Sequence, residues 1–200
     1  MEALNSLGTI AASAWASGVN MYLTVALVGI SQRLQWIDLP GNMEVLGHPL
    51  VILVALVLFA VEFFADKIPL VDSAWDSVHT VIRPAGGALL GYLALADAGP
   101  AVRTSAALLT GMISADSHLT KATTRAAINT SPEPVSNSVA SVAEDITVIG
   151  VLYLAMRHPV IAAIFVVVFL LFSFWFLKMM FRFVKAVFRP RTGRSSASVS

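Results

Sequence analysis

Asp72, Asp76, His79 and Arg83 recur every three or four positions in ADKIPLVDSAWDSVHTVIRPAGGALL, residues 65 to 90. At about 100° per residue the other three fall within about 40° of Asp72 around a helix. Val71, Val78, Val81 and Ile82 take the other directions. Two acids one turn apart, followed by a histidine, offer hard oxygens and an imidazole nitrogen. Asp72, Asp76 and His79 are therefore a candidate ligand set for a divalent cation. Glu62 and Asp66, also one turn apart, come just before this stripe. Further along, His118, Lys121 and Arg125 share one helical face. With His79 and Arg83 they could instead clamp a phosphate or carboxylate. The adjacent pair Glu144 and Asp145, the polar Asn20, and Asp116 on another side of its helix complete the candidates for ion or substrate binding.

The elements that carry these groups are strongly apolar. Mean hydropathy is +0.79, 57% of residues are hydrophobic and 12% are charged, where a soluble domain has about a quarter charged. LVILVALVLFAVEFFA (50–65) and VIAAIFVVVFLLFSFWFL (160–177) approach the roughly 20 residues that cross a hydrocarbon core. Proline, glycine and polar punctuation give six helical spans, over about 4–33, 50–66, 70–95, 101–129, 135–157 and 159–183. A charged stripe facing lipid costs several kcal/mol per charge, so it must face protein or water. The fold class expected is an all-α membrane protein of about six transmembrane helices.

Lys178, Arg182, Lys185, Arg189, Arg191 and Arg194 close the chain with no acid among them. Such a run marks the cytoplasmic side and anchors topology, rather than reading nucleic acid. An even number of spans then puts both termini in the cytoplasm. Residues 187–200 read as a basic, disordered tail. With no cysteine in the sequence, disulfides, thiolate metal sites and cysteine catalysis are excluded. The N-terminus lacks the basic n-region of a signal peptide.

The halves look related. Gly18 to Thr24 can be laid on Ser114 to Thr120 without gaps, and Lys67-Ile68-Pro69 on Arg157-His158-Pro159. Three helices per copy would make an inverted 3+3 repeat, residues 1–97 and 98–186, with a polar site at the interface.

The run Gly18-x-Asn20-x-Tyr22, Glu62-x3-Asp66-Lys67-Ile68-Pro69, Asp72-x3-Asp76-x2-His79-Thr80-x2-Arg83-Pro84-x2-Gly87-Ala88 resembles the bacterial membrane proteins grouped as domain of unknown function 4126. His118-x2-Lys121-x3-Arg125 and Glu144-Asp145 resemble that family's second half, over about residues 16 to 154 in all. The resemblance implies a compact multi-helix membrane fold, in a bacterial inner membrane, and no particular activity.

The chemistry points first to a small secondary transporter or channel for an ion, a cation over an anion, or a small charged solute. A membrane-embedded metal-dependent enzyme acting on a lipid phosphate is the alternative, though the Asp72/Asp76/His79 spacing is a weak motif and no Gly-rich phosphate loop accompanies it. A lipid translocase or scaffold is the third reading. Expected partners are membrane lipids, the transported ion or solute, and a second copy of the chain.

Overall fold

The computed structural model describes residues 2–130 and 134–187. Among the described residues there are helices and no strands: α1 (Glu2–Val19), α2 (Met21–Arg33), a 3₁₀ segment (Gly41–Gly47), α3 (Pro49–Ala65), α4 (Pro69–Ala94), α5 (Pro100–Ile128), α6 (Pro134–Arg157) and α7 (Pro159–Val187). Five of these helices begin on proline, whose fixed φ suits the first helical position and whose missing N–H is not needed there. The segment beyond residue 187, expected to be a disordered tail, lies outside the described residues.

The first expected span is not one helix. Asn20 adopts an extended conformation (φ −147°, ψ 98°), and its side chain accepts from Leu23 N–H at 2.9 Å, capping α2. Both arms then return along α6. Asn20 Nδ2 reaches Asp145 at 2.9 Å, while Thr9 Oγ1 on α1 reaches the Ala155 carbonyl at 3.3 Å. On the other arm, Leu27 and Ser31 line a cavity with Leu152, Tyr153 and Met156. The separations Thr9 to Asn20, Asn20 to Ser31 and Asp145 to Ala155 are each about 15–16 Å of helix. α1 and α2 thus form a V, with its tip near the midpoint of α6 and both open ends at α6's C-terminal end.

Neighbouring contacts fix the other directions. Gly8 lies against the Pro159 carbonyl, and Trp15 meets Phe165 and Phe169, with ring centroids 5.0 and 5.3 Å apart, so α7 runs with α1. Ser117 Oγ donates to the Trp15 carbonyl and Lys121 Nζ to the Val19 carbonyl, so α5 also runs with α1. α4 lies antiparallel to α5, with Asn129 against Asp72 and Ser114 against the Arg83 carbonyl. α1 therefore starts at the end of the bundle where α7 starts, and α7 finishes at the other end. The expectation that both termini share a side depended on a single first span, whereas the start of α1 and the end of α7 lie at opposite ends of the bundle. Ile52 near the start of α3 meets Gly29, and Glu62 near its end meets Arg83 beside Gly18. α3 and α6 therefore run in opposite senses, as do α4 and α7, while α1 and the unbroken α5 run in the same sense.

α1 is the central element. Ala12, Ser13, Ala14, Ala16 and Ser17 are almost completely buried, because short side chains let four helices close on it. Gly18 is the tightest point, since a methyl group there would overlap Ser117 Oγ and the Ser114 carbonyl. The periphery is apolar and exposed, including Val78, Val81, Leu171 and Phe174. α6 and α7 are each long and apolar enough to cross a membrane, and the 3₁₀ segment with α3, bent by 68°, qualifies as a pair.

Candidate functional site

The C-terminal turn of α3, the middle of α4, the second half of α5, the first half of α6 and the tip of the α1–α2 V converge inside the bundle. The α4 stripe is as its spacing requires: Asp72, Asp76, His79 and Arg83 are all buried, while Val71, Val78 and Val81 are exposed. On α5, His118, Lys121 and Arg125 are likewise buried. Glu62 and Asp66 join from α3, and Glu144 from α6.

Three cations share four acids. Arg83 contacts Glu62 at 2.5 Å and Asp76 at 3.4 Å. Lys121 lies 3.0 Å from Asp66, 3.5 Å from Glu144 and 3.7 Å from Glu62. Arg125 grips Glu144 with two parallel bonds of 3.0 and 2.9 Å and stands 3.6 Å from Asp66. Its remaining nitrogen donates to both the carbonyl and the side-chain oxygen of Asn137. Two further acids flank the network: Asp72 accepts from Asn129 and Asp145 from Asn20.

The broken helix takes part directly. In an unbroken helix the Gly18 and Val19 carbonyls would accept from residues 22 and 23. Here Gly18 O accepts from Arg83 Nη1 at 3.2 Å and Val19 O from Lys121 Nζ at 3.3 Å. The negative end of α1 is thus aimed at two buried cations, which the helix dipole favours. Arg83 Nη1 also approaches His118 Nδ1 at 2.9 Å. Because arginine only donates, Nδ1 accepts and the ring hydrogen sits on Nε2, against Thr80 Oγ1 at 3.1 Å.

Two cavities flank the network. One, of about 240 Å³, is lined by Trp15, Ser117, Thr120, Lys121, Glu144 and Phe169 among others. The second, about 210 Å³, lies between α4 and α5 and includes Asp76, Thr80 and Arg125. Their α5 residues are separated by about 140° around the helix, so the cavities open on opposite sides of it.

A family model described as a domain of unknown function (DUF4126) matches residues 7–179. The chain belongs to that family. No curated protein and no solved structure matches it.

In this DUF4126 protein the geometry corrects two expectations. Asp72, Asp76 and His79 share a stripe but do not converge as metal ligands. Asp72 is drawn to Asn129 and Asp76 to Arg83, while His79 is stacked on Trp75 and bonded through both ring nitrogens, to Tyr22 OH at 3.0 Å and the Trp75 carbonyl at 2.8 Å. Among the described residues no three His, Asp or Glu side chains are arranged to hold a metal. The α5 cations take their acids from α3 and α6. Arg83, Lys121 and Arg125 are each turned onto carboxylates, not left free to clamp an anion with His79 and His118. Asp116 stands apart from all of these, held by Ser173 Oγ at 2.5 Å beside α7.

Asn137 was missed by sequence reasoning. It is fully buried, receives Arg125 and donates to the Asp66 carbonyl at 2.7 Å, tying α6, α5 and the end of α3 together. An amide in a small-residue segment directly after TSPEP reads as helix-start polarity, so its type and spacing carried no distinguishing signal.

Proposed function

We propose that this protein is a small secondary transporter or channel for a cation or small cationic solute. One observation carries the reading: the tip of a reversed helix pair ends inside a network of six carboxylates, four of them buried, and three buried cations. The part-exposed Lys67 stands beside Asp66 and Asp145. The acids are Glu62, Asp66, Asp72, Asp76, Glu144 and Asp145; the bases are Arg83, Lys121 and Arg125. Uncompensated charge in a low-dielectric interior is expensive, so an excess of acids favours positive occupants, protons included. Interrupted helices whose ends face an ion site are the usual construction of such sites, because irregular backbone at membrane depth is tolerated only where protein or a water-filled cavity surrounds it.

In this reading α3 to α7 cross the bilayer, and the α1–α2 V enters from one face and returns to it. The basic end of α7 supports a cytoplasmic C-terminus in this reading, with the N-terminus on the other side. The 3+3 organisation applies best to α2–α4 against α5–α7. A homodimer around this small bundle remains part of the proposal. The two cavities supply approaches from either side: Lys121 and Glu144 line one, Asp76 and Arg125 the other. The lipid-phosphate enzyme reading loses its support with the metal triad.

The test is flux in proteoliposomes under an imposed cation or proton gradient. Wild-type protein is expected to dissipate the gradient. Asp66→Asn and Lys121→Gln, checked for intact folding by gel filtration and circular dichroism, are expected to abolish it. Wild-type vesicles no leakier than empty ones would overturn the reading.

A further inference from the structure

The 240 Å³ cavity is walled mainly by hydrogen-bond acceptors. Four hydroxyls line it: Ser117, Thr120, Thr124 and Thr147. Ser117 donates its proton to the Trp15 carbonyl at 2.8 Å, Thr124 to the Thr120 carbonyl at 2.8 Å, and Thr147 to the Ala143 carbonyl at 2.7 Å. A hydroxyl has one proton and two lone pairs, so these three present acceptors to the space. Thr120 Oγ1 is buried with no hydrogen-bond partner, on a residue only 8% exposed. Glu144, whose side chain is 19% exposed, is the most accessible acid of the ion-pair network and forms part of the same wall.

The rest of the lining is Ala143, Val19 from the tip of α1, Phe169 and Trp15, whose buried indole N–H has no hydrogen-bond partner. Lys121 is the one cationic wall residue, but its ammonium already faces Asp66, Glu62, Glu144 and the Val19 carbonyl. Its side chain is 2% exposed against 19% for Glu144, so the charge the cavity can reach is the carboxylate. Acceptor oxygens, a carboxylate and aromatic faces together match a ligand that carries N–H donors, a positive charge and a short carbon skeleton. At roughly 30 Å³ per water, the space holds about eight waters, which caps the ligand at about that many non-hydrogen atoms.

We infer that this cavity is a binding site for a small primary organic ammonium. The ammonium is held by Glu144 and the Ser117, Thr120, Thr124 and Thr147 hydroxyls, with its alkyl part against Trp15 and Phe169. As the cargo of the transporter it rests on the reading above, but the site is tested without transport. An entering ammonium would compete with Lys121 for Glu144, which places the ligand beside the ion-pair network rather than at its periphery.

The experiment uses full-length protein in detergent, with n-propylammonium, tetramethylammonium and acetate as probes, followed by calorimetry and by thermal unfolding. n-Propylammonium is expected to bind saturably and raise the melting temperature. Tetramethylammonium, which has no N–H, and acetate are expected to do neither. Thr120→Val and Thr147→Val preserve shape, remove one oxygen each and are expected to weaken binding by about tenfold. Glu144→Gln should abolish binding, and because it also unpairs Arg125, the threonine variants keep the test decisive should it unfold. Saturable acetate binding, equal response to tetramethylammonium, or indifference to both valine variants would overturn the inference. Ammonium binding without flux would sink the transport reading and leave the site standing; flux of another cation without ammonium binding would do the reverse.

Discussion

Asn20 Nδ2 donates to Asp145 Oδ1 across 2.9 Å, and the same side chain caps α2 through its oxygen. One amide thus reverses the chain and fixes the tip of the V to the middle of α6. Asn20→Ala removes both bonds. Loss of a helix cap costs about 1 kcal/mol, and leaving a buried acceptor unpaired adds about 1–3 kcal/mol. Asn20→Asp keeps the cap but sets a second carboxylate against Asp145. Both variants are expected to lower the thermal midpoint, Asn20→Asp by more, in a melting assay on detergent-purified protein. An unchanged midpoint in Asn20→Ala would mean that the reversal is held elsewhere.

Gly18 is a packing requirement rather than a flexible joint. Gly18→Ala would drive a methyl into the Ser114 carbonyl and Ser117 Oγ, parting α1 from α5 beside the site. It is expected to destabilise by more than the typical 1–3 kcal/mol of an overpacked core, because backbone must move. Gly150, on α6, has open space around its Cβ direction. Gly150→Ala is expected to be neutral or to stabilise by about 0.5–1 kcal/mol. The pair of melting curves separates steric demand from helix propensity.

Much of this site was legible in the chain and some was not. The inward face of α4 followed from 3.6-residue spacing and the cost of charge in lipid, and the burial of Asp72, Asp76, His79 and Arg83 agrees with it. The burial of His118, Lys121 and Arg125 followed for the same reason. Partner choice did not follow, because spacing gives the face of a helix and not the identity of its neighbour. Lys121 reaches Asp66, 55 residues away, and Arg125 reaches Glu144, 19 away. The reversal at Asn20 was hidden for a different reason. Neither proline nor a positive-φ glycine marks it, and an Ala/Ser-rich stretch with an asparagine continues a helix pattern until tertiary contacts decide otherwise.

Arg125 and Glu144 form the best-aligned ion pair of the network. Removing one member of a buried pair costs about 3–5 kcal/mol, since the other charge is left uncompensated. Arg125→Met also releases Asn137, so it is expected to destabilise more than Glu144→Leu. The double variant should be less destabilised than the two singles added together, by about 1–3 kcal/mol in a double-mutant cycle. Strict additivity would show that the pair contributes nothing beyond packing.

The sharpest consequence of the V is topological. α1 begins beside the start of α7, and α7 runs the length of the bundle away from that point. Under the proposed crossing of α3 to α7, the exposed residues Asn5 and Lys185 are expected on opposite faces of the membrane. The sequence contains no cysteine, so Asn5→Cys and Lys185→Cys each create a single reporter thiol. In sealed vesicles of uniform orientation, a membrane-impermeant maleimide is expected to label one variant without lysis and the other only after it. Val81, 74% exposed on the outer face of α4, is expected as Val81→Cys to resist the reagent in both conditions, because lipid covers it. Had α1 and α2 formed one straight crossing, Asn5 and Lys185 would share a face and label together.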